Sequence, residues 1–318
     1  MSVPDECRAF APGSIGNVGC GFDVLGLALE GVGDEVLARK TETSGVEITA
    51  IRGDGGRLPT DAGRNTAGAA AEAALALADA PFGVALEVRK GLPLAAGMGG
   101  SAASAVAAVL AVNGLLGSSL SPEALLQCAI AGESVASGTA PDNAAASLLG
   151  GLVLVPAWNP LRIIPLDVPA DLFSVHIHPH MEVETAGARA ILGKTVALQD
   201  AVAQWGNTAA LVAGLFRGDW EIIGRAVEDR VAEPLRSPGV PGFALVKEAA
   251  LNAGAVACSL SGSGPSLFAL CRSRNRAQAV GEAMVEAFLS SAGMASDLLV
   301  SSGRAPGARI LEPGEEMA

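Results

Sequence analysis

The chain has 318 residues, of which 50% are hydrophobic, 17% are charged and only 3% are aromatic. This length allows two domains of ordinary size, and the apolar share allows a sizeable core. The formal net charge of −12 argues against a general nucleic-acid-binding or membrane-surface protein, because both kinds of partner attract basic proteins.

The cysteines and the N-terminal segment favour a cytoplasmic protein. The five cysteines are an odd number without close pairs, which predicts reduced thiols rather than a disulfide framework or a zinc site. The first residues are polar and acidic, unlike a signal peptide, and the alanine-rich stretches at 67–80 and 102–116 are too short or too interrupted to span a bilayer. We therefore expect no membrane partner.

In chain order, the first half alternates strand-like runs with alanine-rich helical segments. The pattern predicts strands at 35–40, 45–51, 84–88 and 148–155 and helices at 66–80, 102–116 and 122–137. Two prolines interrupt 156–160, which we interpret as a linker between domains at 1–156 and 157–318.

The second half is predicted to hold strands at 173–177, 255–259, 266–271 and 308–311 and helices at 186–192, 199–216, 219–230, 242–253 and 276–291. Strands and helices interleave without strict βαβ repetition. The sequence therefore predicts the α+β class rather than a doubly wound sheet.

The loop between the strand at 84–88 and the helix at 102–116 is rich in glycine and serine. It reads Gly91-Leu-Pro-Leu-Ala-Ala-Gly-Met-Gly-Gly-Ser-Ala-Ala-Ser104. Small residues let the backbone approach an oxyanion, and the free N–H groups and the dipole of a helix start attract it. The loop lacks the lysine of a Walker A motif and the third glycine of a dinucleotide-binding motif, which argues against an oxidoreductase. It therefore predicts a phosphate-binding site of another type.

Three separated motifs resemble those of the GHMP small-molecule kinases. The second motif of that family, Pro-x-x-x-Gly-Leu-Gly-Ser-Ser-Ala-Ala, is similar to the loop, with Met98 in place of Leu and Gly100 in place of the first Ser. The matching positions are Pro93, Gly97, Met98, Gly99, Gly100, Ser101, Ala102 and Ala103. The stretch 11–26 resembles the first motif in the form found in homoserine kinases, with Gly-Phe-Asp-Val-Leu-Gly at its end. The stretch 259–266 looks like the third motif, a glycine-rich turn with Ser261, Gly262 and Gly264.

The resemblance implies a fold, an activity and partners. The fold is a two-domain one, with an N-terminal domain like ribosomal protein S5 domain 2 and a C-terminal ferredoxin-like α/β sandwich. The activity is ATP-dependent phosphorylation of the L-homoserine hydroxyl in threonine biosynthesis, with Mg²⁺ and in a homodimer. Two alternatives stay open, which are another GHMP kinase such as a mevalonate kinase and a GHMP-fold protein that binds a ligand without catalysis.

The resemblance also implies residues for the nucleotide and the metal. Ser101 at the helix start and Glu133 in Gly132-Glu133-Ser134 match metal-binding positions, and one carboxylate with a serine suits Mg²⁺ because that ion keeps several waters. Asn65 resembles an asparagine near the nucleotide base, although Asn-Thr is also a good helix cap.

An amino-acid acceptor has a carboxylate, an ammonium and a hydroxyl. Arginine can bind a carboxylate with two parallel hydrogen bonds, and two arginines lie in family-like contexts. These are Arg189, which follows Thr185, and Arg236 in Glu-Pro-Leu-Arg. The resemblance assigns the ammonium to Asp23 and the reacting hydroxyl to Asn17, Asp142 and Asn143.

Three features of the sequence do not fit this scheme. The family segment Ser-Gly-x-x-His-x-Asp-Asn is one residue shorter over 137–143 and lacks the histidine, so no general base is obvious. The three histidines, His176, His178 and His180, have a spacing compatible with a metal site, but we expect a surface cluster without a catalytic role. The segment 204–207 has no assignable role.

Overall fold

The computed structural model describes residues 4–136, 138–312 and 314–315. The strands are β1 (Glu6–Gly16), β2 (Leu25–Thr41), β3 (Val46–Arg52), β4 (Gly83–Arg89), β5 (Leu152–Leu154), β6 (Ile164–Leu166), β7 (Phe173–Pro179), β8 (Ala257–Leu260), β9 (Leu267–Cys271), β10 (Ser296–Ser302) and β11 (Arg309–Ile310). The helices are α1 (Thr66–Leu77), α2 (Gly100–Leu115), α3 (Pro122–Glu133), α4 (Asp142–Leu149), α5 (Thr185–Ala190), α6 (Leu198–Arg217), α7 (Trp220–Ala226), α8 (Glu233–Arg236), α9 (Phe243–Asn252) and α10 (Arg274–Ala292). Two sheets with helices mixed between their strands confirm the predicted α+β class.

The first sheet has the order β11-β1-β2-β4-β3, and β5 and β6 join it beside β2. Only the β3–β4 pair is parallel among the strand pairs of the described residues. The strands β6 and β11 follow residue 156 in the chain and still belong to this sheet. The domain division at 156/157 stays a prediction.

The second sheet has the order β10-β7-β9-β8 and is antiparallel throughout. Numbered within the unit, this order is fourth-first-third-second, and with α9 and α10 it gives the βαββαβ arrangement of a ferredoxin-like unit. Val175 and Ile177 of β7 pack against Phe288 of α10 in a core of their own. The expected ferredoxin-like sandwich is present.

Helix α2 is the central element of the first half. All but three of its 16 residues are buried, and it packs against α1, β1 and β2. Because alanine dominates its sequence, the neighbouring elements approach closely and their packing fixes the helix. The start of α2 is the end of the glycine-rich loop, so this packing also fixes the position of the loop.

Some element predictions are wrong. The apolar run predicted as a strand at 148–155 begins inside α4, and only β5 is extended, because a short apolar run has no period that separates strand from helix. The sequence does not predict β1, whose glycine and proline look like loop residues. Helix α7 ends at Ala226 instead of residue 230, and α3 ends at Glu133, while Ser137 lies outside the described residues. Among the described helices, none is long and apolar enough to cross a membrane.

Candidate active site

The glycine-rich loop between β4 and α2 borders a cavity of about 520 Å³. The cavity is also lined by Asn65 and Glu133 from the first half and by Thr185 and Gly262 from the second. The predicted loop positions Pro93, Gly97, Met98, Gly99, Gly100 and Ser101 line it. Ala102 and Ala103 are fully buried in the first turn of α2, so their side chains pack the core instead.

Two glycines of the loop have a conformation that other residues rarely adopt. Gly97 has a φ of +71° and Gly99 a φ of +65°. A Cβ atom on Gly97 would lie 2.7 Å from the Ser261 carbonyl oxygen, and one on Gly99 would lie 2.2 Å from Ser14 Oγ. A Cβ atom on Gly100 would lie no closer than 3.6 Å to another atom. The serine of the family motif would therefore fit at this position, and steric crowding does not require the glycine.

Hydrogen bonds from the first and third motifs fix the loop. The Ser14 N–H donates to the Met98 carbonyl at 2.9 Å. Ser261 Oγ donates to the Gly97 carbonyl at 2.6 Å, and Ser266 Oγ donates to the Ala96 carbonyl at 2.5 Å. The protein therefore satisfies three successive carbonyls of the loop, and the loop leads into the start of α2, where a helix presents main-chain N–H groups to an anion.

A buried ion pair that the sequence analysis missed supports the same loop. Lys90 pairs with Asp34, and its Nζ donates to the Gly100 carbonyl at 2.7 Å and to Ser104 Oγ at 2.8 Å. Asp34 in turn accepts the Gly91 N–H at 3.0 Å. The pair thus ties both ends of the loop together. A lysine at the end of a strand, directly before a glycine-rich loop, is the signal that could have indicated it.

A smaller cavity of about 60 Å³ adjoins the first one. The two share the lining residues Glu133, Asn143, Thr185, Gly262 and Ser263. All the residues predicted for the acceptor line the smaller cavity, namely Asn17, Asp23, Asp142, Asn143, Thr185, Arg189 and Arg236. The fold therefore brings together residues from positions 17 to 236 of the chain.

Asp142 is the most deeply buried of these side chains, at 1% exposure. Its Oδ2 accepts the Asn17 N–H at 2.8 Å, while its Oδ1 has no hydrogen-bond partner among the described residues. Burial raises the pKa of Asp142 to about 6, and the negative charge of Asp23 adds to this, against the hydrogen bond from Asn17. Asp142 lines the smaller cavity, and a carboxylate oxygen without a partner can accept a hydrogen bond from a ligand.

The two arginines have different surroundings. Arg189 makes two parallel hydrogen bonds to Asp23, at 2.8 and 3.0 Å. Arg236 is 7% exposed and donates to two main-chain carbonyl oxygens, at 2.9 and 3.1 Å. Burial, reinforced by the charge of Arg189, lowers the pKa of Arg236. The Phe22 ring lies 5.8 Å from the guanidinium carbon of Arg189 and 5.5 Å from that of Arg236, so it holds both guanidinium groups near the cavity.

Two asparagines connect the acceptor cavity with its neighbours. Asn17 Nδ2 donates to the Gly262 carbonyl at 3.2 Å, and Asn17 Oδ1 accepts the Asp23 N–H at 3.1 Å. Asn143 Oδ1 accepts a hydrogen bond from Ser14 Oγ at 2.9 Å, and the same serine contacts the loop. Asn143 therefore lies at the boundary between the two cavities.

Glu133 and Asn65 line the larger cavity from the other side. Glu133, the last residue of α3, is 5% exposed and borders both cavities. No group of three potential metal ligands among His, Cys, Asp and Glu occurs in the part of the chain that the structure describes. A metal ion here would take most of its ligands from a bound anion and water. Asn65 caps α1 by accepting the Ala67 N–H at 3.0 Å, as the alternative interpretation proposed.

The expectation of a surface histidine cluster is wrong for two of its three members. His176 and His178 are buried, at 1% and 7% exposure, because β7 is an inner strand of the second sheet. His178 Nδ1 lies 3.2 Å from Ser266 Oγ, the serine that donates to the loop. Burial lowers the pKa of His176 to about 3 and also lowers that of His178, so both are neutral at pH 7. Only His180 is exposed, beside Asp297 at 3.1 Å.

Family models match both halves of the chain. The model described as GHMP kinases N terminal domain matches residues 65–151, and the model described as GHMP kinases C terminal matches residues 211–290. The chain is 47% identical over 317 residues to the homoserine kinase of Chloroherpeton thalassium and 48% identical over 316 residues to that of Chlorobium phaeovibrioides. Each match covers 96% of this chain and 99% of the relative.

Solved structures show the same likeness. The crystal structure of homoserine kinase from Cytophaga hutchinsonii has a TM-score of 0.92 and 47% identity, over 98% of this chain and 99% of that one. The structure of mevalonate kinase from L. major in complex with R-mevalonate has a TM-score of 0.66 and 15% identity, over 96% and 98% of the two chains. The second likeness shows a shared fold alone.

Proposed function

This chain belongs to the GHMP kinase family and within it to the homoserine kinases, and we propose that it transfers the γ-phosphoryl group of ATP to the side-chain hydroxyl of L-homoserine. The product is O-phospho-L-homoserine, an intermediate of threonine biosynthesis. One observation carries the proposal for the site: Asp142, whose Oδ1 has no partner among the described residues, lines a cavity that Arg189 and Arg236 also line and that adjoins the cavity of the glycine-rich loop.

The charged groups of the acceptor cavity complement those of homoserine. Arg236 and Arg189 bind the carboxylate, and Asp23 binds the ammonium. Asp23 and Arg189 pair with each other in the structure, so a zwitterionic substrate replaces this ion pair with one at its ammonium and one at its carboxylate. This exchange favours a zwitterionic acceptor over a neutral sugar or a simple carboxylic acid.

Asp142 binds the reacting hydroxyl. Its Oδ1 accepts the hydroxyl hydrogen bond, and Asn17 and Asn143 lie on either side of it. As the hydroxyl oxygen bonds to phosphorus, the bond from phosphorus to the bridging oxygen of ADP breaks, and the proton passes to Asp142. A carboxyl with a pKa of about 6 is close enough to the working pH to accept it. Asp142 thus supplies the general base that was not obvious from the sequence.

The glycine-rich loop binds the terminal phosphates of ATP. The main-chain N–H groups at the start of α2 donate to the phosphate oxygens, and Ser101 adds its hydroxyl. Because the loop carbonyls already have protein partners, the loop does not rearrange on binding. Most of the acceleration then comes from positioning and from neutralising charge, as in other phosphoryl transfers.

Glu133 and Ser101 suit a bound Mg²⁺. Glu133 is buried, and among the acidic residues that line these cavities it is the one that lines both. A single carboxylate with a serine hydroxyl matches an ion that keeps waters and binds phosphate. When bound, the ion neutralises charge on the transferred phosphoryl group.

The outer face of α6 is proposed to form a homodimer. Its exposed apolar residues form one stripe, with Leu198 at 74%, Val202 at 48%, Trp205 at 58% and Phe216 at 61% exposure. The helix has only two charged residues, so a second copy can approach despite a net charge of −12 on each chain. An antiparallel pair of α6 helices places Leu198 opposite Phe216 and the large Trp205 opposite the small Ala209.

These side chains offer roughly 500 Å² per subunit, which the neighbouring residues extend toward the ~800 Å² of a stable interface. Light scattering after size exclusion tests the dimer. Trp205→Glu is expected to give a monomer, and Leu245→Glu on α9, where Leu245 is 55% exposed, is the matched control. A dimer of unchanged stability with Trp205→Glu would contradict this interface.

The cysteines suit a reducing compartment, and we propose a cytoplasmic location. All five are free and buried. Burial raises the pKa of Cys20, Cys258 and Cys271 to about 12, so their thiols stay protonated and unreactive. Cell fractionation with an antibody to the chain tests the location.

A coupled assay of ADP release tests the function. L-homoserine, mevalonate, galactose and shikimate are offered at equal concentration with MgATP. We expect turnover with L-homoserine that exceeds the others by several orders of magnitude, because only it carries all three groups that the acceptor cavity complements. Faster turnover of mevalonate, or ADP release that no acceptor stimulates, would contradict the proposal.

A further inference from the structure

The inner side of α6 makes a group of hydrogen bonds that the reaction scheme does not use. Gln204 lies in the segment 204–207, to which no role could be assigned from the sequence. Its Nε2 donates to the Cys20 carbonyl at 2.8 Å and to Asp229 Oδ1 at 3.1 Å, and its Oε1 accepts the Arg230 N–H at 2.7 Å. Thr208, one turn further along, also donates to the Cys20 carbonyl at 2.8 Å. One side chain thus joins two separate loops.

The first of these loops carries Asp23. Cys20 lies three residues before it, and Phe22, between them, contacts both guanidinium groups of the acceptor cavity. The backbone of this loop also packs tightly, since a Cβ on Gly19 would lie 2.0 Å from the Val227 carbonyl oxygen. The position of Asp23 therefore depends on how this loop is held against α6.

The second loop carries Arg236. Asp229 is buried at 6% exposure, and its carboxylate accepts the N–H groups of Val231, Ala232 and Glu233 at 2.8, 3.0 and 2.9 Å. These bonds form the turn from which α8 starts, and α8 ends at Arg236. The carboxylate of Asp229 thus fixes where α8 begins, and the four-residue helix carries that position to Arg236.

We propose that Gln204 and Asp229 are positioning residues of the acceptor site. They set the distance between Asp23, which binds the substrate ammonium, and Arg236, which binds the substrate carboxylate. This inference rests on the proposed function, because it concerns the same cavity. It deepens that function by placing a determinant of acceptor affinity outside the cavity lining: neither side chain borders either cavity described above. The glycine-rich loop makes none of these bonds, so ATP binding is independent of them.

The test is a kinetic comparison of Gln204→Met, Asp229→Asn and the wild type. Methionine keeps the length of the side chain and removes all three hydrogen bonds, while asparagine removes one acceptor oxygen. Gln199→Met is the matched control, since Gln199 is exposed on the same helix. Loss of buried hydrogen bonds predicts a KM for L-homoserine that rises about tenfold in both test variants. The KM for ATP is expected to stay within about twofold of that in the control.

The KM values separate a positioning role from a merely structural one. An equal rise of both KM values, or a fall of kcat alone with a lower Tm, would overturn the inference. An unchanged KM for L-homoserine in both variants would also overturn it and would leave the proposed function intact. If the wild type itself does not turn over L-homoserine, the proposed function fails and this inference fails with it.

Discussion

Replacing Asp142 by asparagine is expected to make the fold more stable and the enzyme nearly inactive. The wild-type carboxyl is buried with one oxygen lacking a partner among the described residues, and its pKa is raised from 3.8 to about 6. Asparagine keeps an oxygen for the Asn17 N–H and places a neutral amide where the buried charge was. A protonated Asp142 side chain has the same shape as asparagine and also carries a hydrogen-bond donor, so the variant resembles the wild type at low pH.

The size of the effect follows from the two pKa values. The difference between 3.8 and about 6 corresponds to about 3 kcal/mol of unfolding free energy. The folded carboxyl holds its proton more tightly than the unfolded one. Its contribution to stability is therefore fully present below pH 3.8 and is lost as the pH rises through about 6. The advantage of Asp142→Asn should grow over this window and stay constant above it.

Urea unfolding at pH 5 and at pH 8 measures this difference. We expect the variant to gain on wild type by about 1.4 kcal/mol between the two pH values, roughly half of that free energy, because the unfolded carboxyl is already ionised at pH 5. In parallel, kcat with L-homoserine should fall at least ~100-fold, while the KM for ATP is unchanged, because the variant cannot accept the proton of the hydroxyl. A variant that is less stable than wild type at pH 8, or one that keeps full kcat, would refute the reasoning.

Four further substitutions test the loop, the metal site and the arginine. Gly99→Ala should abolish ATP binding, because the new Cβ would lie 2.2 Å from Ser14 Oγ. Gly100→Ser should retain ATP binding. Equal ATP affinities of the two variants by calorimetry would contradict this prediction. Glu133→Gln should lower kcat and raise the Mg²⁺ concentration needed for half-maximal rate, and normal turnover at ordinary Mg²⁺ would remove it from the metal site. Arg236→Lys should raise the KM for L-homoserine by ~10- to 100-fold and leave the KM for ATP nearly unchanged, because lysine cannot replace the planar guanidinium. An unchanged KM for L-homoserine would exclude Arg236 from carboxylate binding.

Much of the site could be predicted because its residues lie in short contiguous motifs. The loop at 91–104 predicts an anion site through its glycines and the helix that follows it, and the structure places two of these glycines, Gly97 and Gly99, in the left-handed region. The acceptor residues are distant in sequence, and only the resemblance of several motifs to one family indicated that they meet. The ferredoxin-like order of the second sheet likewise came from the resemblance, since periodicity gives strands and not their order.

The remaining features depend on tertiary burial, which a single sequence does not contain. His176 and His178 alternate with apolar residues on β7 and so resemble an exposed face, yet the strand is covered on both sides. The pairing of Lys90 with Asp34 joins residues 56 positions apart, and neither position belongs to a recognised motif. The raised pKa of Asp142 likewise has burial as its main cause. The local sequence Pro-Asp-Asn does not indicate that this side chain is buried.

The most direct test of the account is a crystal structure with L-homoserine and a non-hydrolysable ATP analogue. We expect the terminal phosphates against the loop at 97–101, the homoserine carboxylate on Arg236, and the hydroxyl oxygen within hydrogen-bond distance of Asp142 Oδ1. Phosphates bound away from the loop, or a homoserine whose hydroxyl faces away from Asp142, would contradict the account.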